Sequence, residues 1–120
     1  MLNDTEKLYI DFESNFDKRF EKNLEITIYR IITELINNTL KYANASQVGV
    51  ILGYSEKASS LTLYYRDNGC GFDIEKALGS RKGLGLSNIY QRVNTLNGKI
   101  NIGTGKDKGV NVHIEFPIAK

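Results

Sequence analysis

The chain has 120 residues, 41% of them hydrophobic and 25% charged, with a formal net charge of +2. That length suits one domain (residues 1–120) around a single two-layer core, and the near-neutral charge lacks the basic footprint of a nucleic-acid binder. No apolar run approaches the roughly 20 residues of a membrane helix. The start "MLNDTEKLYIDF" has early acids and no apolar core of a signal peptide, and the lone Cys70 offers neither a disulfide framework nor a Cys-based metal site. A reducing, cytoplasmic setting is expected.

In chain order, "KLYIDFES" at 7–14 alternates Leu8, Ile10 and Phe12 with polar residues and predicts a strand. The polar stretch "NFDKRFEKN" follows. From Leu24 to Ala43 the period becomes helical, with Leu24, Ile28, Ile31, Ile32, Leu35, Ile36, Leu40 and Ala43 on one broad face and Asn44 as a candidate C-cap. "QVGVILGY" at 47–54 and "SLTLYYRD" at 60–67 alternate again, joined by the hairpin-like "SEKASS". Residues 67–83 are irregular and glycine-rich. A second helix is predicted over 86–97, with Gly98 as its C′ residue. "KINIG" at 99–103 and "GVNVHIEFPI" at 109–118 close the chain as strands around "TGKDKG". The order predicts an α+β fold, a two-layer α/β sandwich. Its sheet is a mixed, mostly antiparallel one of about five strands, with helices on one face.

Three stretches carry chemistry-bearing residues. Beside the apolar face of the long helix, Glu34, Asn38 and Lys41 share a strip at i, i+4 and i+7, extended by Thr27 and Arg30. A carboxylate, a carboxamide and an ammonium in line can serve as a base, an oxygen ligand for a hard cation and a phosphate partner; a solvated helix flank has the same pattern. Asp67 ends an apolar strand, where a carboxylate pointing inward needs a donor such as an exocyclic amine. Gly69 and Gly71 permit close approach of a flat ring, although "DNG" is also an ordinary turn sequence. "KGLGLSN" sets Gly83 and Gly85 just before a helix, whose unpaired N–H groups form an anion site, with Arg81 and Lys82 nearby; a plain loop-to-helix junction is the alternative. Other phosphate motifs fail, because "GTGKD" has Asp107 where a P-loop needs Ser or Thr. The single His113 lies in an alternating strand and suggests neither a metal site nor a catalytic triad.

Together, an E-x-x-x-N helix, a strand-terminal D-x-G-x-G and a G-x-G that opens a helix resemble the GHKL ATPase superfamily of sensor histidine kinases, DNA gyrase, large heat-shock chaperones and MutL proteins. "IYRIITELINNTLKYANASQV" looks like the N box of histidine kinases, "DNGCGFD" like their G1 box, and "GLGLSNIYQRVNTLNGKINI" like their G2 box with its helix and strand. The short stretch of 72–83 and the missing F box are similar to the nitrate-sensor-type subgroup. The resemblance implies a Bergerat fold that binds ATP with magnesium. It implies that Asp67 binds the adenine amino group and that Gly69, Gly71 and Phe72 shape the base pocket. Asn38 matches the magnesium-binding asparagine, Lys41 is placed to meet phosphate, Tyr42 joins the nucleotide-binding residues, and Glu34 matches the general base of related enzymes. Gly83, Leu84, Gly85 and Leu86 would hold phosphate at the hinge of a lid over roughly 72–83.

Two departures from the family pattern matter. Tyr42 stands where the nitrate-sensor-type subgroup usually has His, as in many other histidine kinases. The last strand opens with Gly109–Val110 where the family has Gly-Thr, whose hydroxyl supports the adenine-binding aspartate. One lost hydrogen bond is worth about 1 kcal/mol, several-fold to tenfold in affinity, so weakened nucleotide binding at the Val110 end is expected. The implied activity is transfer of the ATP γ-phosphoryl to a histidine on a separate dimerisation helix, for relay to a response-regulator receiver domain. The domain alone is expected to be a monomer and its parent a homodimer. A regulatory module with weak or no ATP use, and an anti-sigma serine kinase, are the alternatives.

Overall fold

The computed structural model describes residues 8–40, 45–69, 86–104 and 109–118. The chain forms β1 (Tyr9–Ser14), α1 (Lys22–Asn38), β2 (Gln47–Ser55), β3 (Ser60–Asp67), α2 (Leu86–Thr95), β4 (Lys99–Thr104) and β5 (Val110–Pro117). The strands make one sheet in the order β1-β2-β3-β5-β4. β1 runs parallel to β2 through the α1 crossover, and the other three pairings are antiparallel. This is the mixed, mostly antiparallel sheet that the element order predicts, with the helices on one face.

Period decides which residues meet. Leu24, Ile28, Ile31 and Leu35 recur along α1 at helical spacing and are buried, as are Leu86, Ile89 and Val93 on α2. The sheet answers with every second residue: Val48 and Val50 on β2, Leu61, Leu63 and Tyr65 on β3, and Val112, Ile114 and Phe116 on β5. Asp67 continues the inward series of β3, so the alternation itself carries a carboxylate to the inner end of the core.

The stretch after β1 is less polar in space than in sequence. Phe16, Phe20 and Tyr54 pack edge to face at 5.1 and 5.2 Å between centroids, and the Lys18 ammonium lies 4.5 Å from the Tyr54 ring centre. Arg19 grips Glu25 with two bonds of 2.6 and 2.8 Å, and the Phe20 N–H donates to the same carboxylate at 2.9 Å. These donors hold the Glu25 carboxyl at about 2, below the usual carboxylate range. The clamp sets the entry to α1.

One local expectation is corrected, and two elements gain detail. β1 forms where the alternation predicts a strand, and all six of its residues are exposed. Ile10 and Phe12 pair with Val48 and Val50 but remain 47% and 57% exposed on this edge strand. Alternation reports a face and says nothing about its cover. The left-handed residue ending α2 is Asn97 at φ 59, not Gly98. The N–H of Gly98 reaches back to the Val93 carbonyl at 2.9 Å, which makes Asn97 the C′ residue of a Schellman-type ending. Gly98 is required by space: a Cβ there would lie 2.9 Å from both Phe116 and Val93. Finally, α1 as a regular helix ends at Asn38, and Thr39 and Leu40 continue it in a wider turn. Ala43 and the expected cap Asn44 lie outside the described residues.

Candidate functional site

β3 delivers Asp67 to a position where it is only 5% exposed, and a buried carboxylate must be met by donors. Oδ1 accepts two backbone N–H bonds, from Gly69 at 2.9 Å and Val110 at 3.2 Å. Oδ2 accepts from the Thr39 hydroxyl at 3.0 Å. The register Asp67↔Val110 accounts for one of these donors, and the wide turn after α1 accounts for the hydroxyl. A carboxylate offers about four lone-pair positions. The described residues fill three, leaving one on Oδ2 for an incoming donor.

Gly109 makes the Val110 contact possible. It sits at φ +73, and a Cβ there would fall 2.3 Å from the Asp67 carbonyl oxygen. Gly109→Ala therefore combines left-handed strain with a clash against backbone. It is expected to cost about 3 kcal/mol, lowering Tm by roughly 10 °C. Thermal denaturation checks this, and an unchanged Tm would contradict the close approach.

Thr39 and Tyr65 form a buried pair behind the carboxylate. Their hydroxyls are in contact, and both lie within hydrogen-bond reach of the Leu35 carbonyl, at 3.0 Å for Thr39 and 3.1 Å for Tyr65. Burial and the nearby Asp67 charge push the Tyr65 phenol up from its ordinary value, so it stays a donor at any working pH. Asn68 has a different task. Its Oδ1 accepts the N–H groups of Ser46 and Gln47 at 2.9 and 3.0 Å, and its amide donates to the Ser46 hydroxyl at 3.0 Å. It pins the start of β2 to the end of β3.

Glu34 and Asn38 are half-buried, one turn apart on the same flank of α1. The residue after Asn38 is the one that bonds Asp67, so the end of α1 and the end of β3 meet at one place. Leu86 opens α2 with its side chain in the core. Val110 likewise turns its side chain inward and contributes its N–H. Gly69 adds a backbone donor to Asp67. Lys41, Tyr42, Gly71, Phe72, Gly83, Leu84 and Gly85 lie outside the described residues. His113 stacks on Tyr64 at 4.4 Å between centroids, on the sheet face away from the helices. No cluster of three His, Cys, Asp or Glu residues occurs among the described residues.

Thr39, Tyr65 and Gly109 were not singled out in the sequence as site residues. A signal existed for Thr39, a polar residue bordering the apolar face of a helix. Gly109 was legible as the glycine that opens the last strand, but its close approach to Asp67 is across the sheet and leaves no local signal.

The sequence pattern of the histidine kinase-, DNA gyrase B- and HSP90-like ATPase family matches residues 23–120. The chain is 36% identical over 113 residues to the signal transduction histidine-protein kinase/phosphatase DegS of Brevibacillus brevis, a match covering 92% of this chain and 28% of that protein. It is 40% identical over 90 residues to the sensor histidine kinase YdfH of Bacillus subtilis (strain 168), covering 75% of this chain and 22% of YdfH. The histidine kinase AdeS of Acinetobacter baumannii shares the fold with a TM-score of 0.76 at 20% identity, over 98% of this chain and 57% of the AdeS chain. The chain spans about a quarter of the length of these two curated relatives.

Proposed function

The chain belongs to the histidine kinase-, DNA gyrase B- and HSP90-like ATPase family, as the ATP-binding catalytic domain of a histidine kinase, and we propose that it passes the ATP γ-phosphoryl to a histidine on a separate helical segment of its parent. The phosphoryl would then go to an aspartate of a response-regulator receiver domain. The observation that carries this reading is the buried Asp67 carboxylate, which among the described residues meets three donors and keeps one acceptor position, at the end of α1 that bears Asn38.

Asp67 takes the adenine amino group at its remaining acceptor position, with Gly69 and Gly71 against the ring. Lys41 and the N–H groups around Gly83 and Gly85 meet the phosphates. In the transfer, an imidazole nitrogen forms the new N–P bond as the bond from γ-phosphorus to the β–γ bridging oxygen breaks, and ADP leaves. Glu34 accepts the proton of the other ring nitrogen as a hydrogen bond, which orients the acceptor and raises its nucleophilicity. Positioning and electrostatic stabilisation supply most of the rate.

Magnesium takes hard oxygen ligands and keeps several waters. The Asn38 carboxamide, with the Glu34 carboxylate one turn away, is an oxygen donor set that fits it. Asn38 would hold the ion, whose chemistry there is to neutralise phosphate charge.

We also assign the chain to the nitrate-sensor-type subgroup, on the short spacing between its two glycine motifs. The domain acts in the cytoplasm as a monomer when isolated, within a homodimeric parent. No helix among the described residues is long and apolar enough to cross a membrane.

Incubation with Mg-ATP and the separately produced histidine-bearing segment of the parent tests the proposal. Acid-labile, alkali-stable phosphate on the segment is the expected result. An absence of transfer favours a regulatory module, and acid-stable phosphoserine on an added protein favours a serine kinase.

A further inference from the structure

Asp67 Oδ2 accepts a hydroxyl, and the residue paired with Asp67 on β5 cannot supply it, since Val110 offers only its N–H, to Oδ1. Thr39 supplies the donor from the helix layer instead. We infer that Thr39, itself oriented by Tyr65, is the positioning residue that aims the Asp67 carboxylate and thereby sets the preference for a purine with an amine, not a carbonyl, at its six-position. This rests on the reading that Asp67 is the base-binding group.

A proton count fixes the direction of the relay. Thr39 and Tyr65 have one hydroxyl proton each, and among the described residues the oxygens they bond are the Leu35 carbonyl, Asp67 Oδ2 and each other. If Thr39 donated to Leu35 or to Tyr65, its oxygen would turn lone pairs toward the Asp67 carboxylate. If Tyr65 donated to Leu35 while Thr39 donated to Asp67, no proton would lie between the two touching hydroxyls. One arrangement avoids both faults: Tyr65 donates to Thr39, and Thr39 donates to Asp67.

This arrangement has a consequence at the ligand. Oδ1 is occupied by two N–H groups and Oδ2 by the Thr39 hydroxyl, so the carboxylate cannot turn without breaking bonds. The one position that the described residues leave open presents an acceptor. Adenine brings an amine to such a position. Guanine has a carbonyl oxygen at the equivalent ring position and would set acceptor against acceptor. Freed on one side, the carboxylate can rotate toward other donors, so discrimination falls along with affinity.

Calorimetric titration with ADP and with GDP, alongside thermal denaturation, separates positioning from plain structural support. Thr39→Val keeps the shape and removes the donor. It is expected to weaken ADP binding about five- to tenfold, to weaken GDP binding less, and so to narrow the preference between them. Thr39→Ser should restore both affinity and preference. Val110→Thr added to Thr39→Val should recover part of the loss by supplying a hydroxyl from β5. Tyr65→Phe, which leaves Thr39 in place without its donor, should give a smaller loss in the same direction and provides the test if Thr39→Val fails to fold. A folded Thr39→Val variant with parental ADP affinity overturns the inference, and so does an equal loss for ADP and GDP. Asp67→Asn separates the two ideas. Parental ADP affinity in that variant defeats the reading of Asp67 as the base-binding group. Loss there with no effect at Thr39 defeats only the inference about Thr39.

Discussion

Asp67→Asn is expected to weaken ADP binding about 100-fold, because it changes a group that accepts on both oxygens into one that accepts on a single atom. The two backbone donors on Oδ1 fix which side of the new amide must be the carbonyl, since Gly69 and Val110 both present N–H groups there. The amide nitrogen then replaces Oδ2. Thr39 can accommodate the change by turning its hydroxyl round to accept. An adenine amine cannot, and donor faces donor inside a buried pocket. The charge-assisted part of the hydrogen bond is lost as well, which is why the effect exceeds that of losing a neutral partner. The protein should remain folded, since Asn has the same shape and the three protein contacts survive in altered polarity. Titration of the variant with ADP, with Tm as the control for folding, gives the comparison. Parental affinity would remove Asp67 from the base pocket.

Asn38→Ala is expected to reduce phosphoryl transfer to the histidine-bearing segment by about 100-fold or more, equivalent to about 2.7 kcal/mol at the transition state. Ala is the better helix former, so α1 should not suffer from the exchange. Asn38 has a contact of its own within the fold, and its loss should appear as a small change in Tm. The distinguishing sign lies in the magnesium dependence. If Asn38 holds the ion beside the phosphates, magnesium should strengthen nucleotide binding in the parent and do so much less in the variant. Adenine recognition at Asp67 should be left nearly intact when magnesium is absent. Transfer at the parental rate would take Asn38 out of the site.

Much of the fold was legible because its signals are local. The alternation of β3 and β5 and the 3.6 period of α1 and α2 predicted the layers, and the parallel β1 follows from a crossover helix between two strands. The covering of β1 was not legible, since whether Ile10 and Phe12 meet a helix depends on how far α1 extends across the sheet. The ending of α2 was misplaced by one residue, because Gly98 is demanded by the packing of Phe116 and Val93 against its backbone and not by its own φ.

At the site, the acidic end of β3 and the polar flank of α1 could be read from spacing and family resemblance. The support of the carboxylate could not. Thr39 lies 28 residues from Asp67, and Val110 lies 43 residues away. Such contacts leave no periodic trace. Position 110 illustrates the difference: on sequence, Val110 implied a missing donor, whereas in space its N–H remains bonded to Oδ1 and a hydroxyl reaches Oδ2 from the helix layer.

A structure of the domain with ADP and magnesium bound bears most directly on the role of Asp67. The adenine amino nitrogen is expected about 3 Å from Asp67 Oδ2, on the side not taken by Thr39, with the diphosphate running toward Asn38. Adenine bound elsewhere, with Asp67 still closed in by protein alone, would contradict the account.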